Sequence, residues 1–115
     1  MRPTLLVVDD NPDIRDTLAI ALNDHGYRVT GAPNGKVALE LLEEGLRPDM
    51  IILDLNMPEM SGWELLAVLD ARPDLSGIEV LVLSSTPVEG RKHLGKHTSL
   101  EYLIATVEAT LQRAA

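Results

Sequence analysis

Cysteine and phenylalanine are absent from this 115-residue chain, and aromatic residues make up only 3% of it. Without cysteine there is no disulfide framework and no thiolate metal site, so a reducing cytoplasm is the expected compartment. Cationic residues are also scarce: 10 Lys and Arg stand against 18 Asp and Glu, a formal charge of -8. With no basic surplus to neutralise phosphates, nucleic acid is not expected as a direct partner, and the acidity by itself describes an ordinary soluble surface. Long hydrophobic runs are missing as well. The longest, Leu5 to Val8 and Met50 to Leu53, are far too short to cross a bilayer, and no charged-then-apolar signal segment opens the chain, so no membrane association is expected. The remaining hydrophobic residues, 45% of the chain, are mostly Leu, Val, Ile and Ala. The length and composition fit a single domain over residues 1–115, with no room for an output domain.

Three short apolar runs organise that domain: Leu5 to Val8, Met50 to Leu53 and Val80 to Leu83. They are continuous rather than alternating, as strands buried on both faces of a parallel sheet would be. Parallel strands need crossovers, and the intervening segments have helical spacing. Asn11-Pro12 reads as an N-cap followed by proline at the first helical position, ahead of a stripe of Ile14, Leu18, Ala21 and Leu22 that Gly26 ends. Arg28 to Gly31 is a weaker strand candidate, followed by the turn-prone Pro33-Asn34-Gly35 and a helix whose inner face carries Val37, Ala38, Leu41 and Leu42. Ser61-Gly62-Trp63-Glu64 has the form of a capping box for a helix over about Gly62 to Ala71, with Trp63, Leu66 and Leu69 toward the sheet. Thr98-Ser99-Leu100-Glu101 opens a last helix, with Leu100, Leu103, Ile104, Val107 and Leu111 at core spacing. Strand and helix alternate throughout, which predicts a doubly wound α/β domain.

Each strong apolar run ends in polar residues: Asp9 and Asp10, then Asp54, then Ser84 and Ser85. In an open parallel sheet the carboxyl ends of the strands share one edge, so these residues should converge in the crevice there. Three converging carboxylates repel one another unless a cation neutralises them. Oxygen ligands with no His or Cys favour Mg²⁺, and a carboxylate beside that ion can attack phosphorus. Taken singly, the segments have plainer explanations. Asp9-Asp10-Asn11-Pro12 also fits a strand exit and helix cap, and Ser84-Ser85 a turn. Asp54 is different, because a carboxylate ending an almost wholly apolar strand is costly to bury without a partner. His25, His93 and His97 have no ligand spacing and read as solvated.

These segments resemble the receiver domains of two-component response regulators. Leu5-Leu6-Val7-Val8-Asp9-Asp10-Asn11-Pro12-Asp13 is similar to that family's opening motif. Asp49-Met50-Ile51-Ile52-Leu53-Asp54-Leu55-Asn56-Met57-Pro58, with Ser61-Gly62 after it, is similar to the segment around its phosphorylation site. The resemblance implies a flavodoxin-like, three-layer α/β/α fold whose parallel sheet runs 2-1-3-4. It also implies a phosphoryl group accepted on Asp54 from a histidine kinase or phosphotransfer protein in a Mg²⁺-dependent reaction, with output through partner binding. Asp10 would be a direct metal ligand, Asp9 a ligand partly through water, and Asn56 a ligand through its backbone carbonyl. Ser84 would hydrogen-bond a phosphoryl oxygen, and Lys96 would pair with the phosphoryl group. His97 stands where the family has proline.

The chain departs from the family between Ser84 and Lys96, which are separated by only eleven residues. The family fits a helix and a fifth strand there. Residues Thr86 to Gly95 include Pro87, Gly90, Gly95 and the basic run Arg91-Lys92-His93, and show no apolar run. The expectation is a truncated or irregular segment, a sheet of four regular strands with an open edge, Lys96 on a loop, and a second copy completing the sheet as a homodimer. Three other functions compete. A degenerate receiver used as a constitutive interaction scaffold would explain the short segment. A hydrolase with an aspartate nucleophile usually has an acid two positions later, where this chain has Asn56. A dinucleotide-binding fold would need a G-x-G-x-x-G after the first strand, which is absent.

Overall fold

The computed structural model describes residues 2–55, 57, 60–85, 88, 90–95 and 97–114, the last two without their side chains. Strands β1 (Thr4–Val8), β2 (Arg28–Ala32), β3 (Met50–Asp54), β4 (Glu79–Leu83) and β5 (Lys92–Leu94) form one parallel sheet in the order β2-β1-β3-β4-β5. Helices α1 (Pro12–Asp24), α2 (Gly35–Glu43), α3 (Gly62–Ala71) and α4 (Leu100–Ala114) complete the described elements. No helix among the described residues is long and apolar enough to cross a membrane.

The continuous apolar runs become strands buried on both faces, and alternate side chains feed two separate cores. Leu6, Val8, Ile51, Leu53, Val80 and Val82 pack with Ala38 and Leu42 of α2 and with Leu65, Leu66 and Leu69 of α3. On the other face Leu5, Val7, Met50, Ile52, Leu81 and Leu83 pack with Leu18 and Leu22 of α1 and with Leu103 and Val107 of α4. A one-residue slip of any strand would exchange its contributions to the two cores. The helix starts follow the expected capping chemistry. The Asn11 carboxamide accepts from Asp13 and Ile14 N–H at 2.9 and 3.3 Å, Asn34 from Val37 at 2.8 Å, and Ser61 from Glu64 at 3.4 Å. In the last helix the cap is Ser99, which accepts from Tyr102 N–H at 3.1 Å, one residue later than the Thr98 start read from the sequence.

Three side chains assigned to inner stripes lie outward instead: Ile14 is 46% exposed, Trp63 52% and Leu100 36%. All three sit in the first turn of their helices, where the chain is still leaving the sheet edge, and Leu65 takes the buried position expected of Trp63. Away from the sheet edge, Arg47 donates to the carbonyls of Leu42 and Leu46 at 2.7 and 2.9 Å, closing the end of α2, and also pairs with Asp74. The Arg72 hydrogen bond holds the Asp74 carboxyl below its usual value. Burial, and secondarily Glu108, pushes the Tyr27 hydroxyl above its ordinary value.

The expectation of four strands is corrected at the sheet edge. β5 exists and pairs in parallel with β4, Leu81 opposite Lys92, Val82 opposite His93 and Leu83 opposite Leu94. Only residues 84–91 connect the two strands, fewer than the dozen or so that a parallel crossover usually takes, and no helix lies among the described residues of that connection. The segment is too short for a full helix and a full-length strand, but a strand of three residues leaves enough chain for the connection. The basic run concealed the strand because an edge position needs little apolar surface. Lys92 reaches Thr110 of α4 at 3.2 Å, Arg91 pairs with Asp70 of α3, and Leu94 alone is buried. β5 occupies the sheet position that a second copy was expected to fill.

Truncating Leu94 to alanine removes the one apolar anchor of β5, and the expected cost is about 2 kcal/mol in urea denaturation. An unchanged midpoint would show that β5 contributes nothing to the stability of the sheet.

Candidate functional site

Strand ends β1, β3 and β4 meet at one edge of the sheet, and the polar residues that follow them converge as the parallel topology requires. One carboxylate oxygen from each of Asp9, Asp10 and Asp54 lies within 4.8 Å of the others. Asp9 and Asp54 are 5% exposed, whereas Asp10 faces solvent. Ser84 is buried beside them in the sequence of strand ends, and its N–H donates to the Leu94 carbonyl at 3.0 Å, so β5 fixes the backbone of this residue. Asn56 and Lys96, the other two site residues read from the sequence, fall outside the described residues. Lys96 follows the end of β5 by two residues in the chain.

The backbone around Asp9 is held at several points. Its N–H donates to the Ala32 carbonyl at 3.1 Å, its Oδ1 accepts from Asn11 N–H at 2.9 Å, and its carbonyl accepts from Arg15 Nη1 at 2.8 Å. The segment after Asp54 is fixed by two close approaches. A Cβ at Gly62 would stand 2.6 Å from the Asp54 carbonyl oxygen and 2.7 Å from Leu55 Cα, and Gly62 N–H donates to the Leu55 carbonyl at 3.1 Å. At Gly35 a Cβ would stand 2.5 Å from the Met60 carbonyl, to which Gly35 N–H donates at 3.1 Å. These glycines let two helix N-termini press against the segment after Asp54. Sequence reading assigned no such role to Gly62, Gly35 or Arg15. A glycine inside strand β2, Gly31, was the available signal for a close approach there.

The donor set can be tested against a metal. Three carboxylate oxygens with no His or Cys among them suit a hard cation. Two ligands on opposite sides of an octahedral Mg²⁺ lie about 4.2 Å apart, twice the metal–oxygen length of about 2.1 Å. A spread within 4.8 Å therefore fits one such ion after small side-chain adjustments.

Known proteins resemble this chain in sequence and in overall fold. Residues 5–106 match the response regulator receiver domain family. An uncharacterised 14.6 kDa protein of Leptolyngbya boryana is 44% identical over 81 residues, covering 70% of this chain and 61% of that protein. The transcriptional regulatory protein YdfI of Bacillus subtilis is 34% identical over 117 residues, covering 94% of this chain and 54% of that protein. The chain thus spans less than two thirds of either relative's length. Among solved structures, the signal receiver domain of a signal transduction histidine kinase from Syntrophus aciditrophicus superposes with a TM-score of 0.88 at 30% identity, covering 96% of this chain and 90% of that one.

Gly62→Val places methyl groups against backbone that cannot give way, and is expected to cost at least about 2 kcal/mol in chemical denaturation. A variant as stable as the parent would mean that the loop after Asp54 is not held by this contact.

Proposed function

The chain belongs to the response regulator receiver domain family, and from that premise we propose that Asp54 accepts a phosphoryl group from a histidine kinase or phosphotransfer protein, and that the product signals by binding a protein partner. The observation that carries this reading is the convergence of Asp9, Asp10 and Asp54 at the carboxyl edge of the sheet. Asp9, Asp10 and Asp54, with the backbone carbonyl of Asn56, would hold Mg²⁺. Bound there, that ion supplies charge neutralisation for the phosphoryl oxygens.

Asp54 does the covalent work. Its carboxylate oxygen forms a bond to phosphorus while the donor's P–N or P–O bond breaks, the electron pair leaving with the donor. Such transfers depend chiefly on positioning and electrostatics, because the transition state is loose. Positioning is what the glycine contacts at 35 and 62 provide, since they fix the chain at Asp54–Leu55 and again at Met60. Ser84 would hydrogen-bond a phosphoryl oxygen, and Lys96 would neutralise another. Because Ser84 N–H is bonded to the Leu94 carbonyl, a shift of Ser84 toward the phosphoryl group would be felt in β5. The scaffold reading has less support, since the three carboxylates it does not need are brought together.

Treatment with acetyl phosphate and Mg²⁺ is expected to add one phosphoryl mass, located by peptide mass spectrometry at Asp54 and absent from Asp54→Asn. Equal modification of that variant would refute the assignment. Asp10→Ala is expected to lower Mg²⁺ affinity by more than Asp9→Ala, because one Asp9 oxygen is already engaged by Asn11 N–H. Calorimetric titration of both variants checks the order, and the reverse order would contradict it.

A further inference from the structure

We propose that Arg15 is a positioning residue for the Asp9-Asp10 pair, seated on Gly31 and acting through the Asp9 carbonyl. The inference rests on reading the acidic cluster as a Mg²⁺-dependent phosphoacceptor site.

Arg15 lies on α1, one turn beyond its cap, and is half-buried. Its stem crosses β2 at Gly31: a Cβ there would be 3.1 Å from Arg15 Cδ, 3.3 Å from Cγ and 3.5 Å from Nε. Glycine at this point leaves the surface bare, and the arginine lies flat across it. From that seat Nη1 reaches back to the Asp9 carbonyl at 2.8 Å. The paired register of β1 and β2 ends at Val8 and Ala32, so Asp9 lies one residue past the ladder, and the arginine supplies a donor there.

The carbonyl of Asp9 and the N–H of Asp10 belong to one planar peptide unit. Fixing the oxygen therefore fixes the direction in which Asp10 leaves the strand. The two carboxylates are thereby set relative to each other: Asp9 buried, with Oδ1 held by Asn11 N–H, and Asp10 at the exposed side of the same cluster. Among the hydrogen bonds of the described residues, Arg15 meets the pair at the Asp9 carbonyl, and it acts through the peptide between the two carboxylates.

The sign of the effect separates this role from a purely electrostatic one. A guanidinium beside a dication site opposes the ion, so a charge-only Arg15 would make Mg²⁺ bind more tightly once removed. A positioning Arg15 makes it bind more weakly, and supporting groups around metal ligands are worth about tenfold or more in affinity. The experiment is calorimetric titration of the full chain with Mg²⁺ alone, for wild type, Arg15→Ala, Arg15→Lys, Gly31→Val and the Arg15→Ala/Gly31→Val double variant. Thermal unfolding of the metal-free proteins runs alongside, as does the Asp10 amide resonance. The expected result is a loss of about tenfold for Arg15→Ala, partial recovery in Arg15→Lys, and a displaced Asp10 resonance before any metal is added. Gly31→Val crowds the arginine off its seat without changing a charge, so it should reproduce the loss, and the double variant should be no worse than either single one. If Gly31→Val does not fold, the two Arg15 variants and the Asp10 resonance decide. Affinity equal to or tighter than wild type in Arg15→Ala, or an unmoved Asp10 resonance, overturns the proposal and leaves the site reading intact. A wild-type chain that takes up no Mg²⁺ overturns the site reading, and this role with it.

Discussion

Two carboxylates, Asp9 and Asp54, are buried at the ends of strands that are otherwise almost wholly apolar, and much of the architecture serves to make that tolerable. An isolated buried charge is costly, so each must find partners. A parallel sheet supplies a place for this. All strand ends of one polarity meet along one edge, and helices start there with N–H groups unpaired within the helix. Asn11, directly after the acidic pair, shows both uses: its backbone N–H satisfies an Asp9 oxygen, while its side chain caps α1.

At the same edge, backbone approaches backbone closely at two glycines. Glycines at 35 and 62 open α2 and α3, and each brings its helix against backbone of the segment that carries Asp54 forward. The loop is therefore braced from two helices and from the end of β3. Two separate cores, one on each face of the sheet, hold those helices in place. The placement of these helices thus follows from the alternation of side chains along β1, β3 and β4.

Most of this was legible because it depends on local pattern. Continuous runs of Leu, Val and Ile marked the strands, Asn11 and Ser61 marked helix starts, Pro33-Asn34-Gly35 marked a turn, and strand-end acids marked the site. What escaped depends on tertiary distance. Trp63 followed the helical period, yet the period does not say where a helix leaves the sheet, and Trp63 lies outward in the first turn. β5 has one buried residue among three, too little for any apolar pattern, and is defined by its pairing with β4. Arg15 sits on a helix face that looks ordinary in sequence, and its contact with Asp9 arises only because β2 places Gly31 beneath it.

The brevity of β5 sets a hierarchy of opening within the sheet. A strand of three residues, with a single buried side chain and a short tether, gives up few contacts when it detaches, so it can open locally at a fraction of the free energy that unfolds the whole chain. Its opening breaks the bond from Ser84 N–H to the Leu94 carbonyl and frees the backbone of a residue at the carboxylate site. The occupancy of that opened state is then coupled by linkage to whatever binds at the site: a group that favours the closed arrangement lowers amide exchange in β5, and one that favours the open arrangement raises it.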